Sequence, residues 1–219
     1  MNKLISVSLT LLSATAAFAE SHFEKGSRLL ITYNSDYRKA FHAFKQSCEQ
    51  DKSPSGCYMV AEMYARGWGE NYDDDPGRDK ADELYQRACD MGEMHACYER
   101  GERVETSYDI DGKNYEHARR YFEKACEANV IKACLRLANY YGAGIGGLPI
   151  DLQKEMALLN KACYSSEPYY SIGCLTLGAM YEEGRTVPKD LQKAKRFYGM
   201  ACDDNEAEGC DRYKALHQP

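Results

Sequence analysis

Apolar and small residues recur every three or four positions in five stretches of the chain, and charged residues separate them. In one stretch, Ala194, Tyr198 and Ala201 follow this spacing, with Lys193 beside them. Such spacing places the apolar residues on one face of an α-helix and the charges on the other. The pattern therefore predicts amphipathic helices over 36–50, 78–91, 114–128, 151–164 and 190–203.

Four of these stretches begin at or near a residue that is typical of a helix N-cap. Asp and Asn side chains accept hydrogen bonds from the unpaired backbone N–H groups of a first helical turn. The predicted N-cap residues are Asp36, Asn114, Asp151 and Asp190.

A second helical pattern comes after the first, beyond a short connection. Its clearest copy contains Leu177-Gly178, then Tyr181, then Gly184. The small residue lets a neighbouring helix approach closely, and the last glycine supplies the left-handed turn that ends the helix. Residues 24–33 predict one further helix of this kind. The sequence thus predicts an all-α chain of antiparallel hairpins. Equivalent positions hold Val60-Ala61, Leu137-Ala138, Tyr64, Tyr141, Gly67 and Gly144.

The ten cysteines fall into five close pairs whose first members recur at intervals of 37 to 41 residues. Each first cysteine ends one predicted helix and each second cysteine opens the next, so the two side chains face each other across a short loop. Zinc sites place cysteines two to four residues apart and redox pairs use Cys-x-x-Cys, and neither spacing occurs. The predicted disulfides are Cys48–Cys57, Cys89–Cys97, Cys126–Cys134, Cys163–Cys174 and Cys202–Cys210.

The N-terminus has the pattern of a secretory signal peptide. Lys3 precedes an apolar run from Leu4 to Ala16, and Ala17-Phe18-Ala19 is a small-x-small cleavage site. As a membrane anchor the run is short, because a helix needs about 20 apolar residues to span a bilayer. We expect cleavage after Ala19 and a periplasmic or secreted product without a membrane span. The predicted divisions are 1–19 signal peptide, 20–35 helical N-terminal cap, and 36–219 repeat array with a C-terminal cap.

The overall charge of the chain and the spacing of its possible metal ligands limit the classes of partner and cofactor that it is expected to bind. The chain carries 34 acidic and 28 basic residues, which disfavours nucleic acid as a partner. The acidic loops 68–79 and 106–113 suggest calcium, but an EF-hand register with Gly112 at its sixth place puts Ala118 where a bidentate acid is required. We therefore expect no metal and no cofactor. The histidines, at no ligand spacing, are His22, His42, His95, His117 and His217.

Two motifs carry a resemblance to a known family. Lys193-Ala194 through Cys202, and Cys174 through Gly184, resemble the disulfide-rich branch of the SLR, or Sel-one-like, repeats, relatives of the tetratricopeptide repeat. The likeness covers 36–214, with the Helicobacter cysteine-rich proteins as its nearest match. It implies a right-handed superhelical solenoid whose concave side is lined by the helix after each second cysteine. The ligand-contact residues it implies are Met63, Arg136, Asn139, Tyr140 and Met180.

These patterns indicate three candidate functions. A solenoid surface favours a scaffold that binds a protein or peptide in the cell envelope. The family resemblance also implies a weak β-lactamase or penicillin-binding hydrolase acting on β-lactams or peptidoglycan fragments. Its catalytic residues are unknown, since Ser-x-x-Lys, Ser-Asp-Asn and Lys-Thr-Gly are all missing from the sequence. A more distant likeness to a mitochondrial respiratory-chain assembly factor implies assembly of a redox protein.

Overall fold

The computed structural model describes residues 20–31, 36–69, 77–107, 114–167, 169–184 and 186–216. The predicted leader, most of both acidic loops with their candidate calcium ligands, and His217 lie outside these ranges. The described residues form eleven α-helices and no strand. The helices are α1 His22–Ile31, α2 Tyr37–Glu49, α3 Pro54–Ala65, α4 Gly77–Asp90, α5 Met94–Thr106, α6 Asn114–Glu127, α7 Ile131–Ala143, α8 Leu152–Cys163, α9 Tyr170–Glu183, α10 Leu191–Asp203 and α11 Ala207–Ala215.

The five helices predicted from the apolar spacing are confirmed as α2, α4, α6, α8 and α10. Three predicted caps are also confirmed: Asp36, Asp151 and Asp190 each accept a hydrogen bond from a first-turn backbone N–H at 3.0 Å. Asn114 is an exception, because α6 already begins at this residue. Its side-chain amide instead donates to the main-chain carbonyl of Ser107 and fastens the end of α5 to the start of α6.

Contacts between alternate helices arrange the chain in two layers. In the odd-numbered layer, the Tyr140 hydroxyl on α7 donates to Glu105 on α5 at 3.0 Å. In the even-numbered layer, Lys124 on α6 donates to the Cys89 carbonyl on α4 at 2.8 Å. Consecutive helices pack as antiparallel hairpins between these layers. The predicted all-α solenoid of hairpins is therefore confirmed.

A glycine facing a ring sets the closest approach between the layers. A Cβ added to Gly101 on α5 would lie 2.7 Å from the ring of Phe122 on α6. Gly178 faces Tyr198 in the same way at 2.5 Å, and Gly26 on α1 meets the ring of the following helix at 2.7 Å. Contacts this short exclude a side chain, so the glycine lets each ring reach the backbone of its neighbour. Because α1 uses the same contact, it is a regular member of the array.

Two helices of the odd layer end as the sequence predicts. Gly144 and Gly184 come directly after α7 and α9 in the left-handed conformation, with φ of 67° and 70°. The chain then folds back on the helix that it has left. The N–H of Asp151 donates to the carbonyl of Tyr141 at 2.9 Å, which positions Asp151 to cap α8.

All ten cysteines are bonded in the predicted neighbouring pairs. The Cα–Cα distances lie between 4.4 and 4.7 Å, within the range that a bridge requires. Each bridge joins the end of an even-numbered helix to the start of the next odd-numbered helix.

Candidate partner-binding surface

The odd-numbered helices α3, α5, α7 and α9 have a face that points away from the even layer. The second cysteine of each pair and the residues three and four places after it are almost all buried. On a helix, the residues two places before it and one, two and five places after it lie opposite that buried stripe. We call these residues the odd-helix face. It comprises Ser55, Tyr58, Met59 and Glu62 on α3, His95, Tyr98, Glu99 and Glu102 on α5, Lys132, Leu135, Arg136 and Asn139 on α7, and Ile172, Leu175, Thr176 and Ala179 on α9.

Charge is distributed unevenly along the odd-helix face. Its α3 and α5 part carries the three carboxylates Glu62, Glu99 and Glu102. Its α7 part carries Lys132 and Arg136, whereas its α9 part carries no charged residue. A ligand lying across the helices therefore meets acidic, basic and apolar regions in turn.

Glu62 is fully engaged by neighbouring donors. The Tyr85 hydroxyl on α4 donates to Glu62 at 2.6 Å, and Arg66 forms an ion pair with it at 2.9 Å. Burial, together with this hydrogen bond to Glu62, raises the pKa of Tyr85 far above its ordinary value. Tyr85 therefore remains a hydroxyl donor that fixes the Glu62 carboxylate between two helices.

Arg136 joins α7 to α5. Its guanidinium pairs with Glu105, lies 3.5 Å from Glu102, and stands 5.7 Å from the centre of the Phe122 ring. Tyr140 supplies a further hydrogen bond to Glu105 at 3.0 Å. A guanidinium held by carboxylates and a ring loses little additional freedom when a partner binds, so this part of the face is preorganised.

Lys132 lies between two aromatic rings. Its ammonium is 5.5 Å from the centre of the Tyr98 ring and 4.6 Å from that of Tyr169. Tyr169 immediately precedes α9 in the left-handed conformation. The loop between Cys163 and Cys174 is longer than those of the other four pairs, and it carries Tyr169 to this position. Both ring faces attract the lysine cation.

Glu99 differs from the other two carboxylates of the face. No ion pair or hydrogen bond to its side chain is found among the described residues. Burial raises its pKa to about 7, and the neighbouring charges of Glu62 and Glu102 add to this, while Lys132 and Arg103 oppose it. Near neutral pH, a substantial fraction of Glu99 is therefore protonated.

Two tyrosines accompany Glu99. Tyr58 and Tyr98 both come directly after the second cysteine of a pair, one on α3 and one on α5. Burial, with the nearby carboxylates, raises the pKa of both phenols well above the ordinary value. The Tyr58 ring lies 6.0 Å from Tyr85 and 6.4 Å from His95, measured between ring centres. The surroundings of Glu99 thus combine aromatic rings and carboxylates with the cations of Lys132 and Arg103.

Three of the five contact residues implied by the family resemblance lie in the core. Met63 and Tyr140 are 1% exposed and Met180 is 9% exposed, so the expectation that they contact a partner is wrong. All three stand six places after a second cysteine, on a side of the helix that packs against neighbouring helices. Arg136 and Asn139, two and five places after, do lie on the odd-helix face.

The sequence reasoning missed the residues that give the face its chemistry. They are Tyr58, Tyr98, Glu99, Glu102 and Lys132. Counting helical turns from the second cysteine, rather than from the apolar motif as a whole, separates the sixth place, which is buried on α3, α7 and α9, from the second and fifth places, which are at least partly exposed on all four helices.

Two grooves open between helices of the even layer. A groove of about 340 Å³ between α6 and α8 contains Leu137 and Leu158, and a second of about 270 Å³ between α2 and α4 contains Leu84. The place of Leu84 and Leu158, five residues before a first cysteine, is taken by Tyr121 in α6 and Phe197 in α10. The leucines therefore occur at alternate steps of the even layer.

The described ranges also bear on metal binding and membrane insertion. Of the histidines there, His22 pairs with Asp51 at 3.0 Å, whereas His42, His95 and His117 are exposed. Across these ranges no three or more His, Cys, Asp or Glu side chains come together as a metal site. None of the described helices has the length and apolar character to cross a bilayer.

Comparison with known proteins agrees with this architecture. Five segments of the chain match the Sel1 repeat, namely 21–52, 54–93, 95–130, 131–166 and 171–206. The chain belongs to the Sel1 repeat family. Each Sel1 repeat here consists of an odd-numbered helix followed by an even-numbered one. In this frame, four of the disulfides connect consecutive Sel1 repeats, because each joins an even helix to the next odd helix, and the fifth, Cys202–Cys210, connects the last matched repeat to α11.

The chain is also similar to named relatives and solved structures. It is 26% identical over 186 residues to cytochrome c oxidase assembly factor 7 of Xenopus tropicalis, covering 81% of this chain and 78% of that protein. The mouse protein of the same name is 32% identical over 111 residues, 48% of this chain and 47% of its own.

Two solved structures share the fold. A Sel1 repeat protein from Oxalobacter formigenes superposes with a TM-score of 0.72 at 18% identity, covering 86% of this chain and 74% of its own. A protective antigen of uropathogenic Escherichia coli with an SLR fold gives 0.74 at 22% identity, covering 90% of this chain and 40% of its own.

Proposed function

We propose that this protein is a non-enzymatic scaffold that binds an extended segment of a protein partner on the odd-helix face. The observation that carries the proposal is the charged and aromatic surface formed by α3, α5 and α7, with Arg136 held in place by Glu105 and Glu102. Stacked hairpins present such surfaces to peptides. Because the side chains are already held, binding costs little ordering of the scaffold.

We further propose that the scaffold works in the cell envelope, as a periplasmic or secreted protein. The signal peptide predicted over 1–19 and the resemblance to the Helicobacter cysteine-rich proteins support this location. The five disulfides support it as well, since such bonds persist in oxidising compartments.

Site-specific photo-cross-linking in the producing cell tests the scaffold. We would place p-benzoylphenylalanine at Asn139, an exposed position on the odd-helix face, and at His117, an exposed position on α6, as the matched control. We expect a discrete protein adduct from position 139 only. Equal adducts from both positions, or adducts from position 117 alone, would contradict binding on the odd-helix face.

A more specific candidate is the assembly of a redox protein. The similarity to proteins named cytochrome c oxidase assembly factor 7, over 81% of the chain, favours it. In that case the adduct from position 139, identified by mass spectrometry, is a subunit or maturation partner of a redox complex. Any other partner contradicts this candidate and leaves the scaffold intact. Hydrolysis of β-lactams or peptidoglycan fragments rests on the family resemblance alone, and we do not propose it.

A further inference from the structure

We propose that the disulfide Cys202–Cys210 is a thiol–disulfide exchange site, which a dithiol reductant with basic groups around its thiols opens to release α11. This chemistry goes beyond the proposed function, because it requires no partner segment on the odd-helix face. It changes the covalent state of one end of the array.

Cys202 and Cys210 form the most accessible of the five disulfides. The other eight cysteines are at most 4% exposed, whereas these two are both partly exposed. The following even helix covers three of the buried bridges, because Arg87, Lys124 and Lys161 each donate to the carbonyl of the first cysteine of the previous pair. In the described part of the chain, no even helix follows α10. Exposed disulfides are the ones that thiols reach and reduce most readily.

The same bridge holds α11, which has few other anchors. Of its nine residues only Gly209 is buried, where it packs against Ala201 on α10. Tyr213 lies against α10 but stays partly exposed. The guanidinium of Arg212 lies 3.3 Å from Glu182 on α9, and a partly exposed ion pair of this kind contributes little stability. Since so short a helix is marginal in water by itself, we expect α11 to detach when the bridge opens.

The helix ends determine which sulfur is attacked. Cys202 lies in the last turn of α10, and Cys210 lies in the first turn of α11. The N-terminus of a helix stabilises a thiolate, and the C-terminus disfavours one. Cys210 is therefore the better leaving group, and the incoming thiolate attacks Sγ of Cys202.

The exchange is a reduction by two electrons in two steps. A thiolate of the reductant forms a mixed disulfide with Cys202, and Cys210 leaves as a thiolate that takes a proton from water. The second thiol of the reductant then attacks the reductant's own sulfur in the mixed disulfide, so that Cys202 leaves and is protonated in turn. The bridge becomes two thiols, and the dithiol becomes a disulfide.

Local charge determines which reductant is favoured. Segment 201–212 contains five carboxylates and one basic residue, Arg212. Arg212 lies 3.5 Å from the Glu208 carboxylate, so the segment keeps an excess of negative charge. That charge repels an anionic reductant and attracts one with basic groups beside its thiols. The carboxylates belong to Asp203, Asp204, Glu206, Glu208 and Asp211.

Differential alkylation measures the opening of each bridge. We would treat the oxidised full chain with dithiothreitol, stop the reaction at intervals with N-ethylmaleimide, and quantify every cysteine by mass spectrometry. We expect Cys202 and Cys210 to react about tenfold or more faster than any buried pair. Cys89–Cys97 is the matched control, because it has the same sequence separation of 8. Opening of a buried pair as fast as Cys202–Cys210 overturns the proposal.

Hydrogen–deuterium exchange tests the release of α11. After selective reduction and alkylation, the amides of 207–215 should exchange about tenfold or more faster than in the oxidised protein, with α6 unchanged. The variant Cys202→Ala/Cys210→Ala should show the same fast exchange without reductant, whereas Cys89→Ala/Cys97→Ala should keep α11 protected. Thermal melting confirms that each variant is folded. Protection of 207–215 that survives the loss of the bridge overturns the release.

Two monothiols of opposite charge test the choice of reductant. We would take the ratio of the rates at which cysteamine and 3-mercaptopropionate open Cys202–Cys210, at low salt, in the wild type and in Asp203→Asn/Asp211→Asn. The intrinsic difference between the two reagents cancels between the proteins. We expect the ratio to fall about threefold or more in the variant, and the first adduct to form on Cys202. An unchanged ratio, or a first adduct on Cys210, overturns the assignment.

Discussion

Lys124 on α6 donates from Nζ to the main-chain carbonyl of Cys89 at the end of α4, at 2.8 Å. Lys161 makes the same bond to the carbonyl of Cys126 at 2.7 Å. The last carbonyls of a helix have no partner within the helix and attract cations. A basic residue two places before a first cysteine therefore ties one Sel1 repeat to the end of the previous one.

Removing this bond should lower stability. We expect Lys124→Met to reduce the free energy of unfolding by about 1 kcal/mol, the usual net value of one hydrogen bond. Lys214→Met, at an exposed site on α11, is the control and should change stability little. Urea unfolding measures both. Equal effects of the two substitutions would show that the bond to Cys89 is not stabilising.

The contact between Gly101 and Phe122 gives a second prediction. A Cβ at Gly101 would lie 2.7 Å from the ring, so Gly101→Ala should destabilise the fold by about 1–3 kcal/mol despite the better helix propensity of alanine. Gly199→Ala is the matched helical control, because its Cβ would meet only the edge of Tyr213 at 3.3 Å. We expect the control to be neutral or stabilised in thermal unfolding.

Ser47 gives a prediction of the opposite sign. Its hydroxyl is buried and finds no hydrogen-bond partner in the described part of the chain. Space is short there, since a Cβ on Gly56 would lie 2.6 Å from the Ser47 oxygen. Alanine holds the place before the first cysteine in the other four pairs. We expect Ser47→Ala to raise the free energy of unfolding by about 1 kcal/mol. A loss of stability would indicate an unrecognised partner for the hydroxyl.

Glu99 predicts a pH dependence of stability. Its pKa is raised from 4.5 in the unfolded chain to about 7 in the fold, by burial and by Glu62 and Glu102, against Lys132 and Arg103. Between these values the folded state holds a proton that the unfolded state has lost. The contribution of Glu99 to stability is therefore complete below pH 4.5 and is lost as pH rises through 7.

The variant Glu99→Gln cannot lose this contribution. Allowing for partial exposure of Glu99, we expect the free energy of unfolding of this variant to exceed that of the wild type by about 1–2 kcal/mol at pH 8. At pH 4.5 the two free energies should differ little. Urea unfolding at several pH values measures the difference, with Glu127→Gln, at an exposed site on α6, as the control. A difference that grows as the pH falls would refute the assignment.

The disulfide pattern predicts the result of peptide mapping. Digestion of the unreduced protein should release only peptides that join sequence neighbours, such as Cys126 with Cys134. Replacing both of these residues by alanine should lower the free energy of unfolding by about 2–3 kcal/mol, the value expected for a bridge that closes a loop of this length. A bridge between distant cysteines would contradict the pairing.

The sequence predicted the architecture well because two independent periods agree. Apolar spacing locates the helices, and cysteine spacing locates their junctions. The surface was harder to predict, since the sixth place after a cysteine is apolar in Met63 and Met180 and resembles a contact site. The raised pKa of Glu99 depends on the burial that packing creates and on the charge of Glu62, which lies one Sel1 repeat away. Such effects between repeats have no local signature in the sequence.

The position of the bridges has a further mechanical consequence. Every disulfide crosses a boundary between Sel1 repeats or leads into α11, whereas the two helices inside a repeat are held by packing and by hydrogen bonds such as that from Tyr85 to Glu62. Terminal units of a solenoid ordinarily detach first, because each contacts one neighbour. Here, cutting a single bridge should soften one boundary and leave the repeats on either side intact, so that the array bends at that point before any repeat unfolds.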